Sequence, residues 1–463
     1  MKYTEKGVEN INIAYIGGGS RGWAWTLMND LVSAKDISGT VALYDIDYEA
    51  AQHNEIIGEL YNDAPGAKSH WSYKACEKIE DALCGADFVV ISILPGSFDE
   101  MESDVHTPET YGIYQTVGDT TGPGGIIRAL RTLPMIEHIA KKIEECCPEA
   151  WVINYTNPMT VITKMLYKAF PGIKAFGCCH EVFSTQRLLA AVLEETYGIK
   201  NITREDIKVN VVGVNHFTWL TDARYQGRDL FPVYKKFVDK HYESGYHAPD
   251  DKNWLNKYFA CEHRVKFDLF RRYGYIAAAG DRHLAEFCEG QWYLGSPENA
   301  ASWKFGLTPV SWRKENKAGL LQKSEDLRSG KIKPELIETG EDGVNQIRAI
   351  LGLCEMVSNV NIPNEGQIPN LPYGAIVETN AVFRDGSVTP VFAGNVPKEI
   401  FSLISRALGE QEIIVEAAAR RDLDLAFSAF SNNALVNLSL SDARALFDEM
   451  VDNTKEYLQE YFR

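Results

Sequence analysis

One glycine-rich segment restricts the fold of this chain more than any other feature of its sequence. Residues 17–22 read Gly-Gly-Gly-Ser-Arg-Gly and directly follow an apolar, β-prone run at residues 11–16. A G-x-G-x-x-G turn between a strand and a helix lets the backbone approach a pyrophosphate, and the helix N-terminus supplies N–H donors. The segment predicts a Rossmann-like unit, although a glycine-rich turn without a ligand is the alternative. The expected cofactor-binding residues are Gly17, Gly19, Ser20, Arg21 and Gly22.

A carboxylate follows at the place where such a unit contacts the ribose of its dinucleotide. Asp45 comes directly after the apolar run at residues 41–44, at about the 20-residue spacing from the glycine turn that is typical of NAD-binding domains. A carboxylate there binds the ribose hydroxyls and disfavours a 2′-phosphate, so NAD is expected rather than NADP. Asp47 is an alternative for this role, and either residue could instead cap a turn.

Apolar runs alternate with helical stretches through the first part of the chain. Further buried strands are predicted at residues 88–93, 151–153 and 174–176, and a long helix is predicted at residues 126–145. Parallel strands buried on both faces have such continuous apolar runs. The alternation indicates an α/β fold with a doubly wound parallel sheet, like that of lactate and malate dehydrogenases.

After residue 200 the pattern becomes mixed. A strand is predicted at residues 209–214 and amphipathic helices at 397–420 and 441–461, the former with Pro397 at its first position. Between the strand and the first of these helices, residues 361–394 are rich in Pro, Gly and Asn, with short β-prone runs at 375–379 and 381–383. We therefore expect an NAD-binding Rossmann-like domain at residues 1–200. An α+β domain for substrate, metal and oligomerisation is expected at residues 201–463.

Composition excludes several classes of partner. The 463 residues carry a formal net charge of −17 without a block of Lys or Arg, which argues against nucleic acid. The N-terminus lacks the apolar core of a signal peptide, and the longest apolar run is too short to span a bilayer. The nine cysteines form no spaced framework, which indicates reduced thiols. We expect a cytoplasmic protein with no membrane partner.

Two residues of metal-ligating type each follow a predicted strand. Cys179 comes after the strand at residues 174–176, and His216 comes after the strand at residues 209–214. Open α/β sheets bind their ligands at the carboxyl ends of strands, so a shared catalytic metal site is reasonable. Taken singly, a buried cysteine and a satisfied core histidine are the ordinary interpretations.

Three further segments place polar groups near the same sheet edge or in the second domain. Asn157 follows the strand at residues 151–153, where it either binds a substrate hydroxyl or forms a turn before proline. Asp119 lies in a glycine-rich loop, as a site carboxylate or a turn residue. The run Asp281-Arg282-His283 offers a base and an anion-binding arginine, although surface salt bridges could explain it equally.

With these motifs assembled, the chain resembles glycoside hydrolase family 4, whose members require NAD and usually manganese. The resemblance rests on the glycine turn, on Leu43-Tyr44-Asp45-Ile46-Asp47, on Asn157-Pro158, on Cys179-His180-Glu181-Val182 and on Asn215-His216. It implies oxidation of the sugar at C3, proton removal at C2, elimination of the aglycone, addition of water and return of the hydride, with no net oxidation.

The resemblance also implies roles for individual residues. Cys179 and His216 would bind Mn2+ or another divalent metal, and Asn157 would hold the region of the C3 hydroxyl. Asp281 would be the base, with Tyr273 as the alternative, and Asp119 or His180 would protonate the leaving oxygen. Arg282 and His283 would contact the substrate.

His180-Glu181-Val182 after the metal cysteine resembles the branch that contains unphosphorylated α-glucosidases and α-galacturonidases. Arg282 beside the proposed base could pair with a C5 carboxylate, which favours an α-galacturonidase acting on a small-molecule uronide. A neutral α-glucosidase is the nearest alternative, because an acidic protein would not steer an anionic sugar. A 2-hydroxy acid dehydrogenase and a non-catalytic NAD sensor are the remaining alternatives. A thiolate ligand would require reducing conditions, and a homodimer or homotetramer is expected from the resemblance.

Overall fold

Two β-sheets organise the computed structural model, which describes residues 1–247 and 257–463. The strands are β1 Lys2–Thr4, β2 Gly7–Ile16, β3 Ile37–Tyr44, β4 Trp71–Cys76, β5 Phe88–Ile91, β6 Trp151–Asn154, β7 Lys174–Gly177, β8 Ile207–Val214, β9 Phe217–Tyr225, β10 Arg228–Asp229, β11 Ile276–Ala277, β12 Met356–Pro363, β13 Ile376–Arg384 and β14 Ser387–Pro390.

Helices cover both faces of the larger sheet and build much of the second half of the chain. They are α1 Trp23–Ser33, α2 Tyr48–Asn62, α3 Ile79–Leu83, α4 Phe98–His106, α5 Gly122–Cys146, α6 Met159–Ala169, α7 Glu181–Tyr197, α8 Phe231–His241, α9 Arg264–Tyr273, α10 Asp281–Phe287, α11 Gly290–Tyr293, α12 Pro297–Ser302, α13 Val310–Arg328, α14 Gly343–Ile350, α15 Lys398–Arg420, α16 Leu423–Asn432 and α17 Leu440–Asn453. Short 3-10 helices lie at Pro108–Tyr111, Arg204–Asp206, Lys257–Phe259 and Lys455–Phe462.

The larger sheet has the doubly wound topology expected from the sequence. Its ten strands run in the order β14-β13-β12-β7-β6-β5-β2-β3-β4, with β1 paired to β2. The six strands from β7 to β4 are parallel, and the chain reverses direction across the sheet between β2 and β5. Ligands of such sheets bind outside the carboxyl ends of the strands at this reversal point. The glycine-rich turn follows β2 there.

Both faces of the parallel sheet are buried, which is why its strands read as continuous apolar runs. On one face, Val89 and Ile91 of β5 pack in a core that includes Leu130 of α5. On the other face, Val90 packs in a core that includes Ile347 of α14.

The second sheet contains a tight hairpin, and one strand of this hairpin contacts the larger sheet. Its four strands, β8 to β11, are antiparallel, and β8 is joined to β9 by the two residues Asn215 and His216. Asn380 of β13 donates a hydrogen bond to the carbonyl of Val209 at 2.7 Å, so β8 is fixed against β13 of the larger sheet. His216 has a φ of 63°, the left-handed conformation that a tight hairpin turn demands.

Several predicted element ends need correction. Pro397 precedes helix α15 as its capping residue and is not its first helical residue. The helix predicted at 441–461 ends at Asn453 and is followed by a 3-10 segment. The two short β-prone runs at 375–379 and 381–383 belong to the single strand β13, because its register against β12 is unbroken.

The division into residues 1–200 and 201–463 stays a prediction, but the larger sheet extends across it. Strands β12, β13 and β14 continue that sheet beyond β7 through the pairing of Asn361 with Gly177. Within residues 1–247 and 257–463, we find no helix whose length and apolar character would let it span a bilayer.

Candidate active site

The glycine-rich turn is packed too closely for side chains at its first three positions. A Cβ added at Gly17 would lie 2.0 Å from the carbonyl oxygen of Ser92, and one at Gly18 would lie 2.8 Å from Cα of Leu43. A Cβ at Gly19 would lie 2.6 Å from Cβ of Ala50. Glycine at these three positions therefore lets the turn pack closely against the neighbouring elements, as the tight strand-to-helix turn of a dinucleotide site requires.

Two side chains from neighbouring elements fix this turn. Asp45, at the end of β3, accepts hydrogen bonds from the backbone N–H of Gly19 at 2.9 Å and of Asp47 at 3.0 Å. Burial raises its pKa, and the two N–H donors oppose that rise. Asn54 of α2, a residue that the sequence did not single out, is fully buried and donates to the carbonyls of Gly18 and Ser20. Asp47 caps α2 by accepting from Ala50 at 3.1 Å.

The end of α1 that faces the turn is free to receive an anion. Gly22 precedes this eleven-residue helix and has no side chain to cap it, so the N–H groups of the first turn remain available. Nε of Arg21 is buried and has no hydrogen-bond partner in the described parts of the chain. Together with Asp45, these features fit a dinucleotide.

Asp119, His216 and His283 form a compact group at the carboxyl edge of the sheet. One ligand atom from each lies within 4.8 Å of those of the other two. The imidazoles of His216 and His283 stack with their ring centroids 3.8 Å apart. Three residues from a loop, a hairpin and a helix therefore converge at one point.

Thr120, which the sequence analysis did not identify, sets the tautomer of His216. Its hydroxyl donates to Oδ1 of Asp119 at 2.6 Å and lies 2.9 Å from Nδ1 of His216. A hydroxyl has one hydrogen to donate, so it accepts the Nδ1–H of His216, which leaves Nε2 with a free lone pair.

The charges in this group suit a divalent cation. Burial would raise the pKa of Asp119, but His283, Arg128 and His216 hold it well below its usual range. Burial and His283 lower the pKa of His216 to about 3, so its imidazole is neutral. Nδ1 of His283 is buried without a hydrogen-bond partner among the described residues. A carboxylate and two neutral imidazoles are a common donor set for a transition-metal ion.

Asn157 joins the group from the end of β6. Its Nδ2 donates to Oδ2 of Asp119 at 3.3 Å, while its Oδ1 is buried without a partner among the residues that the structure describes. Arg128 of α5 donates from Nε to the Asn157 carbonyl at 3.1 Å and fixes the backbone here. The unpartnered amide oxygen is free to accept from a substrate hydroxyl.

Cys179 lies beside this group, and its thiol is not among the ligand atoms that lie within 4.8 Å of one another. Its thiol is placed next to the side chain of Asn215, and burial raises its pKa well above the usual range, with a further contribution from Glu378. Asn215 and Asn359 both donate to the carboxylate of Glu378, and Asn359 also donates to the Cys179 carbonyl. The pair of Cys179 and His216 as metal ligands stays a prediction.

The two residues after Cys179 point to different partners. His180 is half-exposed, with Nδ1 3.0 Å from a carboxylate oxygen of Glu341 and its ring stacked near Trp23 at the start of α1. Glu181 accepts from the Gly280 N–H at 2.7 Å and lies 3.9 Å from His283. Burial would raise the pKa of Glu181, but three histidines hold it at about 2.

The two proposed bases lie at opposite ends of α9. Asp281 is fully buried, and its oxygens accept the N–H groups of Val265 and Lys266 at 3.1 Å, so it caps the first turn of that helix. Burial raises its pKa to about 6. Tyr273 ends the helix, where its hydroxyl accepts from Arg272 at 3.2 Å. The structure does not bring Tyr273 to the Asp119 group.

Arg282 and Glu286 of α10 anchor the loop that carries Asp119. Arg282 donates to the Thr116 carbonyl and to Thr308. One oxygen of Glu286 accepts three backbone N–H groups, from Thr116, Val117 and Gly118, at 2.7 to 3.0 Å. Both side chains therefore form hydrogen bonds that hold the loop in place.

A second cluster of ligand-type side chains contains Cys261, His263 and Asp281. The buried ammonium of Lys266 lies close enough to influence the pKa of each of the three. That positive charge, together with the engagement of Asp281 by α9, disfavours a cation there.

Comparison with known proteins gives consistent matches along the chain. Residues 12–195 match the model for the family 4 glycosyl hydrolases, and residues 211–436 match the model for the C-terminal domain of that family. An alpha-galacturonidase of Thermoanaerobacterium saccharolyticum is 60% identical over 99% of this chain and 98% of its own.

Two solved structures extend the comparison. The crystal structure of the Bacillus subtilis protein lplD has a TM-score of 0.91 and 52% identity, over 96% of this chain and 100% of that one. A 6-phospho-alpha-glucosidase from gut microorganisms, in complex with NAD and Mn2+, has a TM-score of 0.79 at 20% identity, over 97% of this chain and 99% of that one. At that identity the second likeness concerns the fold alone.

Proposed function

Because this chain belongs to family 4 of the glycosyl hydrolases, we propose that it is an α-galacturonidase that works with NAD and a divalent metal, preferably Mn2+. The main support for this choice of substrate is the 60% identity, over nearly the whole of both chains, to an alpha-galacturonidase. The more distant 6-phospho-alpha-glucosidase that was solved with NAD and Mn2+ supports the choice of cofactors.

The two cofactors fit separate parts of the site. Gly17, Gly19 and the free end of α1 would hold the dinucleotide, with Asp45 on its ribose. Asp119, His216 and His283 would hold the metal, and the pair of Cys179 and His216 predicted from the sequence is the alternative, in which a thiolate ligand would make activity depend on a reductant. Bound there, the two groups supply reversible hydride transfer and Lewis-acid polarisation of a sugar oxygen.

The remaining residues would position the sugar and move protons. The unpartnered Oδ1 of Asn157 would accept a sugar hydroxyl beside the metal group. His180, half-exposed and paired with Glu341, would protonate the leaving oxygen. Of the two proposed bases, position favours Asp281, which directly precedes Arg282 and His283. Asp281 would have to release a helix N–H to accept the C2 proton.

We also propose a reducing, cytoplasmic location and a homodimer or homotetramer. All nine cysteines are free thiols, as expected in a reducing compartment. In the segment 361–394, Tyr373 and Phe392 are 79% and 70% exposed, which supports an interface between subunits there. Light scattering during gel filtration would report the number of subunits, and a monomer would rule out the assembly.

Release of nitrophenol from 4-nitrophenyl α-galacturonide and α-glucoside tests the proposed function. NAD, Mn2+ and dithiothreitol are supplied together and then omitted one at a time. We expect release from the uronide, with loss of activity on each omission and no accumulation of NADH. Faster release from the glucoside would show that the enzyme is an α-glucosidase instead of an α-galacturonidase. NADH formation from a 2-hydroxy acid without glycoside cleavage would show that it is a dehydrogenase and not a glycosidase.

A further inference from the structure

Arg313 is a half-buried arginine whose guanidinium has no hydrogen-bond or ion-pair partner in the described part of the chain. It lies in the first turn of α13. Within residues 1–247 and 257–463, neither a hydrogen bond nor an ion pair joins its side chain to another residue. Removing a charged group partly from water without a partner is unfavourable, and binding of an anionic ligand would offset that cost.

The start of α13 is attached to the loop that carries Asp119. Just before the helix, the N–H of Thr308 donates to the Thr116 carbonyl at 3.3 Å, and Thr308 also accepts from Arg282. Trp312 packs edge-on against Phe259, with ring centroids 5.0 Å apart. The guanidinium of Arg282 lies 4.4 Å from the centre of the same Phe259 ring. Arg313 is thus held beside Arg282 at the rim of the site.

Two other arginines near Asp119 are already engaged. Arg128 gives its Nε–H to the Asn157 carbonyl, and Arg282 gives N–H groups to Thr116 and Thr308. The five N–H donors of Arg313 have no partner among the residues that the structure describes. A guanidinium binds a carboxylate through two parallel N–H donors, and a fully uncommitted one can do so without breaking a protein contact.

Arg313 interacts electrostatically with charged groups of the site. Burial lowers the pKa of Arg313, while Asp119 and then Glu286 raise it. Arg313 in turn lowers the pKa of both Arg128 and Arg282. Three arginines and two carboxylates therefore influence one another at this rim. An added carboxylate would neutralise the one guanidinium of the three that lacks a partner in the described structure.

The charge of the whole chain makes such a local group necessary. With a formal net charge of −17, the protein repels an anionic sugar at long range. Selection of a uronide must therefore come from a short-range contact that outweighs this repulsion.

We propose that Arg313 binds the C5 carboxylate of the galacturonosyl unit and thereby selects uronides over neutral sugars. The inference rests on the proposed function, which supplies the acidic sugar. It transfers to Arg313 the contact that the sequence had suggested for Arg282, because one amino group of Arg282 is bound to Thr116 and Thr308 and holds that guanidinium against the protein, with only its buried Nε recorded as unpartnered among the described residues.

Kinetics on a matched pair of substrates test this assignment. The substrates are 4-nitrophenyl α-galacturonide and its uncharged C6 amide, each with NAD and Mn2+ present. For Arg313→Gln we expect KM for the uronide to rise about 10- to 100-fold, the range for losing a charge-assisted hydrogen bond. For the amide we expect KM to change less than about 2-fold. Arg313→Lys keeps the charge without the fork and should restore part of the affinity.

Lys317→Gln is the control, because it removes one positive charge one turn further along the exposed face of α13. Lys317→Gln should leave KM for both the uronide and the amide unchanged. Equal losses of Arg313→Gln on uronide and amide, or no loss on either, would overturn the assignment.

A binding measurement separates failure of this inference from failure of the proposed function. Calorimetry on the wild-type protein loaded with NAD and Mn2+ compares galacturonate with galactose. A wild type without preference for galacturonate overturns the substrate in the proposed function and the role of Arg313 with it. A wild type with that preference, retained in Arg313→Gln, overturns the role of Arg313 alone.

Discussion

At the scale of single residues, the space around each glycine of the dinucleotide turn decides whether a side chain is tolerated. A Cβ at Gly19 would meet Ala50 at 2.6 Å and the carboxylate of Asp45 at 2.9 Å, whereas nothing lies within 4 Å of one at Gly22. We expect Gly19→Ala to weaken NAD binding at least about 10-fold, since Asp45 and the turn must shift from the pyrophosphate and ribose. Gly409→Ala is the control, because Gly409 is exposed on α15 and nothing lies within 4 Å of an added Cβ, and its expected change is below about 3-fold. Fluorescence titration with NADH measures both, and equal losses would contradict the argument.

The metal group makes a second prediction at this scale. His283 keeps a buried, unpartnered Nδ1 beside Asp119 and His216, so His283→Ala should weaken Mn2+ binding at least about 10-fold, as expected for loss of one ligand. His138→Ala removes an exposed histidine of α5 and serves as the control. Counting free Mn2+ by electron paramagnetic resonance measures affinity without turnover. Unchanged affinity in His283→Ala, with loss in Cys179→Ser, would favour the ligand pair named from the sequence.

The sequence identified residues whose positions follow from the end of a strand or from a glycine-rich loop. Asp119, Asn157, His216 and His283 are of this kind, and the structure gathers all four. It could not identify Thr120 or separate Asp281 from Tyr273. The roles of those residues depend on the tautomer of a distant histidine and on which end of α9 meets α10, and local pattern carries no information about either.

At the scale of elements, a buried carboxyl group links α15 to the residue after α16. Glu410 is 9% exposed and accepts from Nδ2 of Asn433 at 2.8 Å. Burial raises its pKa from 4.5 to about 7. The folded protein therefore holds this proton between pH 4.5 and 7 while the unfolded chain has lost it, so stability falls as pH rises through that interval.

Glu410→Gln replaces the carboxyl group with a neutral group of similar shape. We expect the free energy of unfolding at pH 8 to rise by up to about 3 kcal/mol, since one pKa unit corresponds to about 1.4 kcal/mol. At pH 5 the change should be small. Urea unfolding at both pH values measures the difference. Glu412→Gln, a partly exposed partner of Lys164, should show no such dependence on pH, and stabilisation of Glu410→Gln equal at both pH values would refute the explanation.

Elements with a strong period were predictable, and elements held by distant partners were not. The helix at 126–145 was found because its apolar face is continuous, and its true range is α5, Gly122–Cys146. Strand β12 was missed because its residues form a strand only through the register with β13. The final helix was predicted too long because the apolar pattern continues into the 3-10 segment.

At the scale of the whole molecule, the larger sheet is built from both ends of the chain. Phe176 of β7 is fully buried, and its ring lies 5.3 Å from that of Phe383 on β13 in an edge-to-face contact. On the other side, Ile400 and Ile404 of α15 belong to the same core as the α6 residues Ile162 and Leu166. Residues after 200 therefore cover both the edge and one face of the Rossmann-like sheet.

This arrangement predicts that a fragment of residues 1–200 will not fold on its own, although its sequence pattern is that of a complete Rossmann-like domain. Without β12, strand β7 becomes an open edge with Phe176 exposed, and without α15 the apolar face of α6 meets water. Loss of that much apolar contact exceeds the few kcal/mol by which domains are stable. Thermal unfolding followed by circular dichroism should show a cooperative transition for the full chain and none for the fragment. A cooperative transition in the fragment, together with NADH binding, would establish residues 1–200 as an independent domain and refute the dependence argued from the shared sheet.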